Sequence, residues 1–177
     1  MNDNMSRLAI PVNAEDHVQG LESAEVTLVE YGDYECPHCG LAYPIIKAVQ
    51  KKSGSKLRFV FRNFPLSSMH PFAELAAEVA EVAGAQGKFW EMHDAIYENQ
   101  DLLGEEMLGE LAQKLKLNMN RFNGDINTRK FKDRVKKDFM GGVKSGVNGT
   151  PSLFINGERF DGSLDEKTLL KVIRQMT

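Results

Sequence analysis

Cys36 and Cys39 are the only cysteines of the chain, and Pro37 and His38 lie between them. Two thiols at this spacing can close and reopen one small disulfide while the backbone hardly moves. The pair is therefore read first as a redox site. A C-x-x-C pair can also be half of a structural zinc site, but such a site takes four ligands and no second cysteine pair exists. His17, His38, His70 and His93 lack zinc-finger spacing, so no metal is expected.

The elements around the pair give it its chemistry. Val26, Thr27, Leu28, Val29 and Tyr31 are β-branched, aliphatic or aromatic and read as a buried strand running into the motif. Leu41, Ile45, Ala48 and Val49 then recur at helical spacing up to Gly54, which puts Cys36 at or just before the first turn of a helix. Pro37 suits that turn, where its missing N–H costs nothing, whereas Pro44 should kink the helix. A sulfur at a helix N-terminus meets free backbone N–H groups and the positive end of the helix dipole, and both favour thiolate. Cys36 is thus the expected nucleophile. Cys39, deeper in the helix, is the expected resolving thiol. His38 can stabilise the thiolate by charge or hydrogen bond, against the opposing charges of Asp33 and Glu35. Glu30 is a carboxylate in an otherwise apolar strand, costly to bury unless protonated or paired.

The run from Glu30 to Cys39, Glu-Tyr-Gly-Asp-Tyr-Glu-Cys-Pro-His-Cys, resembles the thioredoxin superfamily, and its centre is similar to that of the bacterial DsbA-type thiol:disulfide oxidoreductases. Gly149, Thr150 and Pro151, leading into Ser152 to Ile155, resemble the loop and strand that carry this superfamily's cis-proline facing the redox pair. The resemblance implies an α/β thioredoxin fold, a central mixed sheet flanked by helices, with an inserted all-helical subdomain. It implies a cis bond before Pro151, with Thr150 free to pair with an extended substrate strand. DsbA proteins usually carry valine where Thr150 stands. The family keeps an acid at the position of Glu30, under the second cysteine. Glu30 is accordingly expected to accept and return the proton of Cys39 during resolution.

Length and composition fit this picture. At 177 residues, 42% hydrophobic and 27% charged, the chain can bury a proper core without structural disulfides. A formal net charge of -3 argues against nucleic-acid binding through overall charge, and no apolar run reaches membrane-spanning length. Met1 to Gly20 lacks the apolar core of a secretory signal and begins with Asn2, Asp3 and Asn4. A cytoplasmic protein is expected, or a periplasmic one if a signal was removed. Pro11 to Gly20 reads as an extended lead-in with His17 on the surface.

Leu57 to Phe64 reads as the next strand, making a right-handed parallel β-α-β unit that Pro65 ends. From Leu66 to Gly146 the pattern is helical. Its stripes are Phe72, Leu75, Ala76, Val79 and Ala83; then Phe89, Met92 and Ile96; then Leu108, Leu111, Ala112 and Leu115; then Phe131, Val135, Phe139 and Val143. The last carries Arg129, Lys130, Lys132, Arg134, Lys136 and Lys137, read as a solvated face. His70, Trp90 and His93 are read as packing residues. Asn156-Gly157 signals a hairpin joining Ser152–Ile155 to Glu158–Phe160, and Ser163 with Glu166 a capping box for a last helix. The organisation expected is an extension over 1–22, a thioredoxin-like domain over 23–64 and 147–177, and a helical subdomain over 65–146.

The function expected is exchange of disulfides with protein or peptide substrates, with no cofactor beyond the Cys36–Cys39 disulfide and a separate redox partner to reset it. The reduction potential and that partner choose among oxidase, reductase and isomerase. Three alternatives stand beside this reading: a cytosolic disulfide reductase, a glutathione-linked enzyme of the kappa type, and a non-enzymatic metal- or peptide-binding module.

Overall fold

The computed structural model describes residues 6–177, and the expectations for Met1 to Met5 lie outside them. Its centre is a five-stranded sheet in the order β1-β3-β2-β4-β5, formed by His17–Gln19, Val26–Gly32, Leu57–Asn63, Ser152–Ile155 and Glu158–Phe160 as β1 to β5. Strands β2 and β3 are parallel, with Leu28 opposite Phe59 and Glu30 opposite Phe61. The other three pairings are antiparallel. Helix α1, Pro37–Ser53, makes the crossover between β2 and β3. Five helices follow before the chain returns to β4: α2, Ala73–Gly84; α3, Phe89–Glu98; α4, Glu105–Lys114; α5, Met119–Asn127; and α6, Lys132–Lys144. Helix α7, Glu166–Gln175, ends the described chain and packs on α1.

Strand alternation sorts the core into two layers. Val26, Leu28, Phe59, Phe61, Leu153 and Ile155 face α1, α7 and the helical segment in the larger layer. Val29, Tyr31, Val60 and Phe154 face the other way, onto Phe64, Val147 and Phe139 of α6. Asn156 and Gly157 both have positive φ, 49° and 84°, the requirement of a tight two-residue hairpin with primed geometry.

Several local expectations are corrected. The buried face of α1 is Cys39, Ala42, Ile46 and Val49, while Leu41 stands 68% exposed. On α6 the inward residues are Val135, Asp138, Gly141 and Gly142, and Val143 is exposed. The cap of α7 is Asp165, whose side chain accepts Thr168 N, rather than Ser163. His17 is not a free surface residue. It lies in β1, stacks on Phe89 and hydrogen-bonds Glu81 of α2. The same Glu81 accepts from Asn63, whose amide also reaches Asp138 of α6, so buried polar groups tie both helices to the end of β3.

Phe61 is fully buried between Tyr34 and His93 and links the sheet to the helical segment. Truncating it leaves a cavity that neighbours on three elements cannot refill. Phe61→Ala is expected to lower stability by about 3–5 kcal/mol in denaturant unfolding.

Candidate active site

Cys36 is the N-cap of α1, with extended backbone (φ −68°, ψ 121°) and Pro37 in the first turn. Its sulfur therefore stands where the N–H groups of the opening turn have no helical partner. Both cysteines are free thiols; Cys36 is 4% exposed and Cys39 wholly buried. Cys36 Sγ lies 3.5 Å from the carbonyl O of Thr150, and Asp33 N–H donates to Cys39 Sγ at 3.4 Å. The Thr150–Pro151 peptide bond is cis. Thr150 Oγ1 is buried and makes no hydrogen bond, the contact with Cys36 running through the carbonyl O.

These surroundings separate the two thiols. The Cys36 pKa is lowered from 9.0 to about 5, first by the hydrogen bond from Cys39, then by Thr150 and the backbone N–H groups of Cys39 and His38, with burial opposing. Cys39 moves the other way, well above the ordinary thiol value, through burial, Cys36 and Glu30. His38 contributes through its main chain, and its side chain is exposed.

Glu30 lies on the same face of β2 as Val26 and Leu28, because residues two apart share a side. It is 3% exposed, and its Oε1 has no hydrogen-bond partner. Burial, and then the charge of Cys36, raise its pKa from 4.5 to about 8. The charge of Glu30 is one of the influences that raise Cys39. A buried carboxyl that changes charge near neutral pH can give and take a proton there.

Two supports of the loop were not foreseen. Gln100, just after α3, donates to both Tyr34 O and Cys36 O, at 2.8 and 2.9 Å. A Cβ on Gly40 would sit 2.1 Å from Gln100 Oε1, so glycine there admits the amide. Behind the loop Tyr34 is hydrogen-bonded to His93 at 3.0 Å and packs on Phe61 and Tyr97. Burial pushes the His93 pKa down to about 3, so this histidine is a neutral wall residue. Nothing in the spacing of Gln100 could have marked it, since its partners are main-chain atoms far away in sequence. Beside the loop, Pro37, Gly40, Leu41, Gln100 and Leu102 line an open groove of about 660 Å³. Among the described residues no cluster of three or more His, Cys, Asp or Glu could hold a metal.

The thiol asymmetry gives two checks. Iodoacetamide should alkylate Cys36 with a midpoint near pH 5 and leave Cys39 unlabelled at neutral pH. Equal labelling of both would contradict the geometry. The folded thiol also binds fewer protons than the unfolded one between about 5 and 9.0. That stabilisation of the reduced protein is complete above the ordinary value and lost as pH falls through about 5. Glu30 contributes with the opposite sign, being stabilising below 4.5 and lost as pH rises through about 8; the part of its shift due to burial is common to both redox forms, and the part due to the Cys36 charge belongs to the reduced form alone. The stability of the reduced form relative to the oxidised form should therefore grow from about pH 5 through neutral pH and flatten above about 8, where Glu30 and then the unfolded Cys39 thiol ionise, as measured by paired denaturant titrations.

The thioredoxin family model matches residues 12–175. A Na(+)/H(+) antiporter NhaA 1 of Salinispora arenicola is 41% identical over 171 residues, which is 96% of this chain and 26% of that protein. The NhaA antiporter of Herminiimonas arsenicoxydans is 37% identical over 164 residues, 92% of this chain and again 26% of that protein. The chain thus spans about a quarter of the length of these curated relatives. Among solved structures, oxidised BdbD from Bacillus subtilis superposes with a TM-score of 0.84 at 26% identity, covering 99% of this chain and 98% of its own. The alpha-DsbA1 protein of Wolbachia pipientis gives 0.83 at 23% identity, with 96% and 94% covered. The catalytic domain of Proteus mirabilis ScsC gives 0.78 at 16% identity, with 93% and 90% covered. With a redox-spaced cysteine pair opening α1 and helices set between β3 and β4, the chain belongs to the thioredoxin family and has the DsbA-like form of its fold.

Proposed function

We propose that the chain is a thiol:disulfide oxidoreductase that acts on protein thiols and disulfides and works best as an oxidant. The observation that carries this reading is the opposed pair of thiols, Cys36 held toward thiolate at the start of α1 and Cys39 held protonated behind it. In the oxidising direction a substrate thiolate attacks Cys36 Sγ of the Cys36–Cys39 disulfide. The new S–S bond forms as the old one breaks, and Cys39 leaves and takes up a proton. A second substrate thiolate then attacks the substrate sulfur of the mixed disulfide and displaces Cys36 as a thiolate. Two electrons have moved from the substrate dithiol to the enzyme. A separate partner of opposite redox chemistry must remove them before the next cycle.

The low pKa favours this direction. A thiolate stabilised by its surroundings stabilises the dithiol enzyme, makes its disulfide more oxidising, and makes Cys36 the better leaving group. The groove beside it suits an extended chain, since Leu41 and Leu102 stand 68% and 71% exposed on its walls. Thr150 O, at the edge of the same sulfur, offers a main-chain acceptor to a strand laid alongside. Glu30 is the proton relay for Cys39 in this scheme. The antiporter relatives match over about a quarter of their length, so the shared segment is read as a redox unit. Ion exchange belongs to those longer proteins and is not proposed for this chain. Among the described residues no helix is long and apolar enough to cross a membrane.

Equilibration of the pair in glutathione buffers tests the direction. A potential above about −200 mV, with formation of disulfides in a reduced, unfolded substrate, is the expected result. A value near that of thioredoxin, about −270 mV, would make the protein a disulfide reductase instead. Glu30→Gln should slow formation of the mixed disulfide with a reduced substrate, the step in which Cys39 leaves, by about tenfold or more near neutral pH and flatten its pH profile. An unchanged profile removes Glu30 from the chemistry.

A further inference from the structure

Asp33 lies three residues before Cys36 and touches both halves of the pair through its main chain. Its carbonyl O accepts Cys36 N–H at 3.2 Å, and its own N–H donates to Cys39 Sγ at 3.4 Å. Its side chain is wholly buried. An anion in that place works against a second negative charge on Cys36.

The segment between β3 and α2 receives it. Leu66 N–H donates to Asp33 Oδ2 at 2.9 Å, and His70 Nδ1–H donates to the same oxygen at 2.7 Å. Two residues on, Phe72 N–H donates to Glu35 Oε2 at 2.7 Å. Both acids that precede Cys36 are therefore held by one stretch of chain. His70 is the single side chain of that stretch, Leu66 to Phe72, able to carry positive charge.

We infer that His70 is the counter-ion of Asp33, a positioning residue that cancels the carboxylate's opposition to a thiolate on Cys36. This inference rests on Cys36 being the nucleophile of the proposed reaction. His70 touches Asp33, and the charges of Cys36 and Glu35 act on it from further off. Burial alone would lower the pKa of the imidazole. The hydrogen bond and charge of Asp33, followed by the charges of Cys36 and Glu35, outweigh that and raise it. The His38 side chain is exposed, whereas only 16% of the His70 side chain is.

The test is a titration of the Cys36 thiolate, by its ultraviolet absorbance and by the iodoacetamide alkylation rate, from about pH 4 to about pH 9. It compares wild type with His70→Gln, which keeps a donor toward Asp33 without the charge, and with Asp33→Asn/His70→Gln. The midpoint should rise by about one pH unit in His70→Gln, with alkylation about tenfold slower at pH values below it. It should return toward wild type in the double variant, because removing the anion removes the need for its counter-ion. An unmoved midpoint in His70→Gln overturns the inference. So does a raised midpoint that the double variant fails to restore, since a merely structural role would leave both proteins equally disturbed. The redox reading fails separately, and visibly, if wild-type Cys36 titrates like an ordinary thiol.

Discussion

A sulfur at the open end of a helix carries the arrangement. The first turn of any helix leaves N–H groups without helical partners, and at α1 these groups surround Cys36. Burying a charge in a protein core is costly, yet here Cys36 is nearly covered. The cost is met by fixed donors that already point at the atom, so ionisation needs little rearrangement. Everything else in the site keeps that atom in that place. Strand β2 delivers the chain to the helix start, Pro37 sets the first turn, Thr150 closes one side, and Gln100 holds the carbonyls.

The same burial divides the labour between the two sulfurs. Moving three residues along α1 takes Cys39 away from the helix end and into the layer between sheet and helices, where apolar neighbours and Glu30 disfavour a negative charge. A site that contains one stabilised and one destabilised anion has a built-in order of events. Proton and electron movements are then coupled by position, with no cofactor called upon in the proposed scheme.

Much of this was legible in the sequence wherever local rules act without competition. A proline one residue after a cysteine, behind a β-branched run, fixes the strand-to-helix setting of Cys36. Asn156-Gly157 admits little but the tight turn observed. The period of two places Glu30 with Val26 and Leu28 on one face before any coordinates are known. Other features were ambiguous for physical reasons. Helix α1 offers Leu41 and Ile45 on one face and Ala42 and Ile46 on the next, and the choice was made by the sheet and α7. Ser163 and Asp165 compete to cap the same helix, and the stronger acceptor holds it. His17, His70 and Gln100 find their partners 64, 37 and 64 or more residues away, beyond the reach of any periodicity.

The contact between Gly40 and Gln100 carries a consequence for how such chains diverge. The amide of Gln100 occupies the space that any side chain at position 40 would need, and it donates to two main-chain carbonyls of the loop, Tyr34 O and Cys36 O, the second of which also accepts Gly40 N–H at 3.1 Å. Neither position is free to drift alone. A larger residue at 40 evicts the amide, and a shorter one at 100 removes its bond to Tyr34 O. The two positions are coupled by space and hydrogen bonding, so the segment after α3 and the cysteine loop it braces constrain one another's side chains.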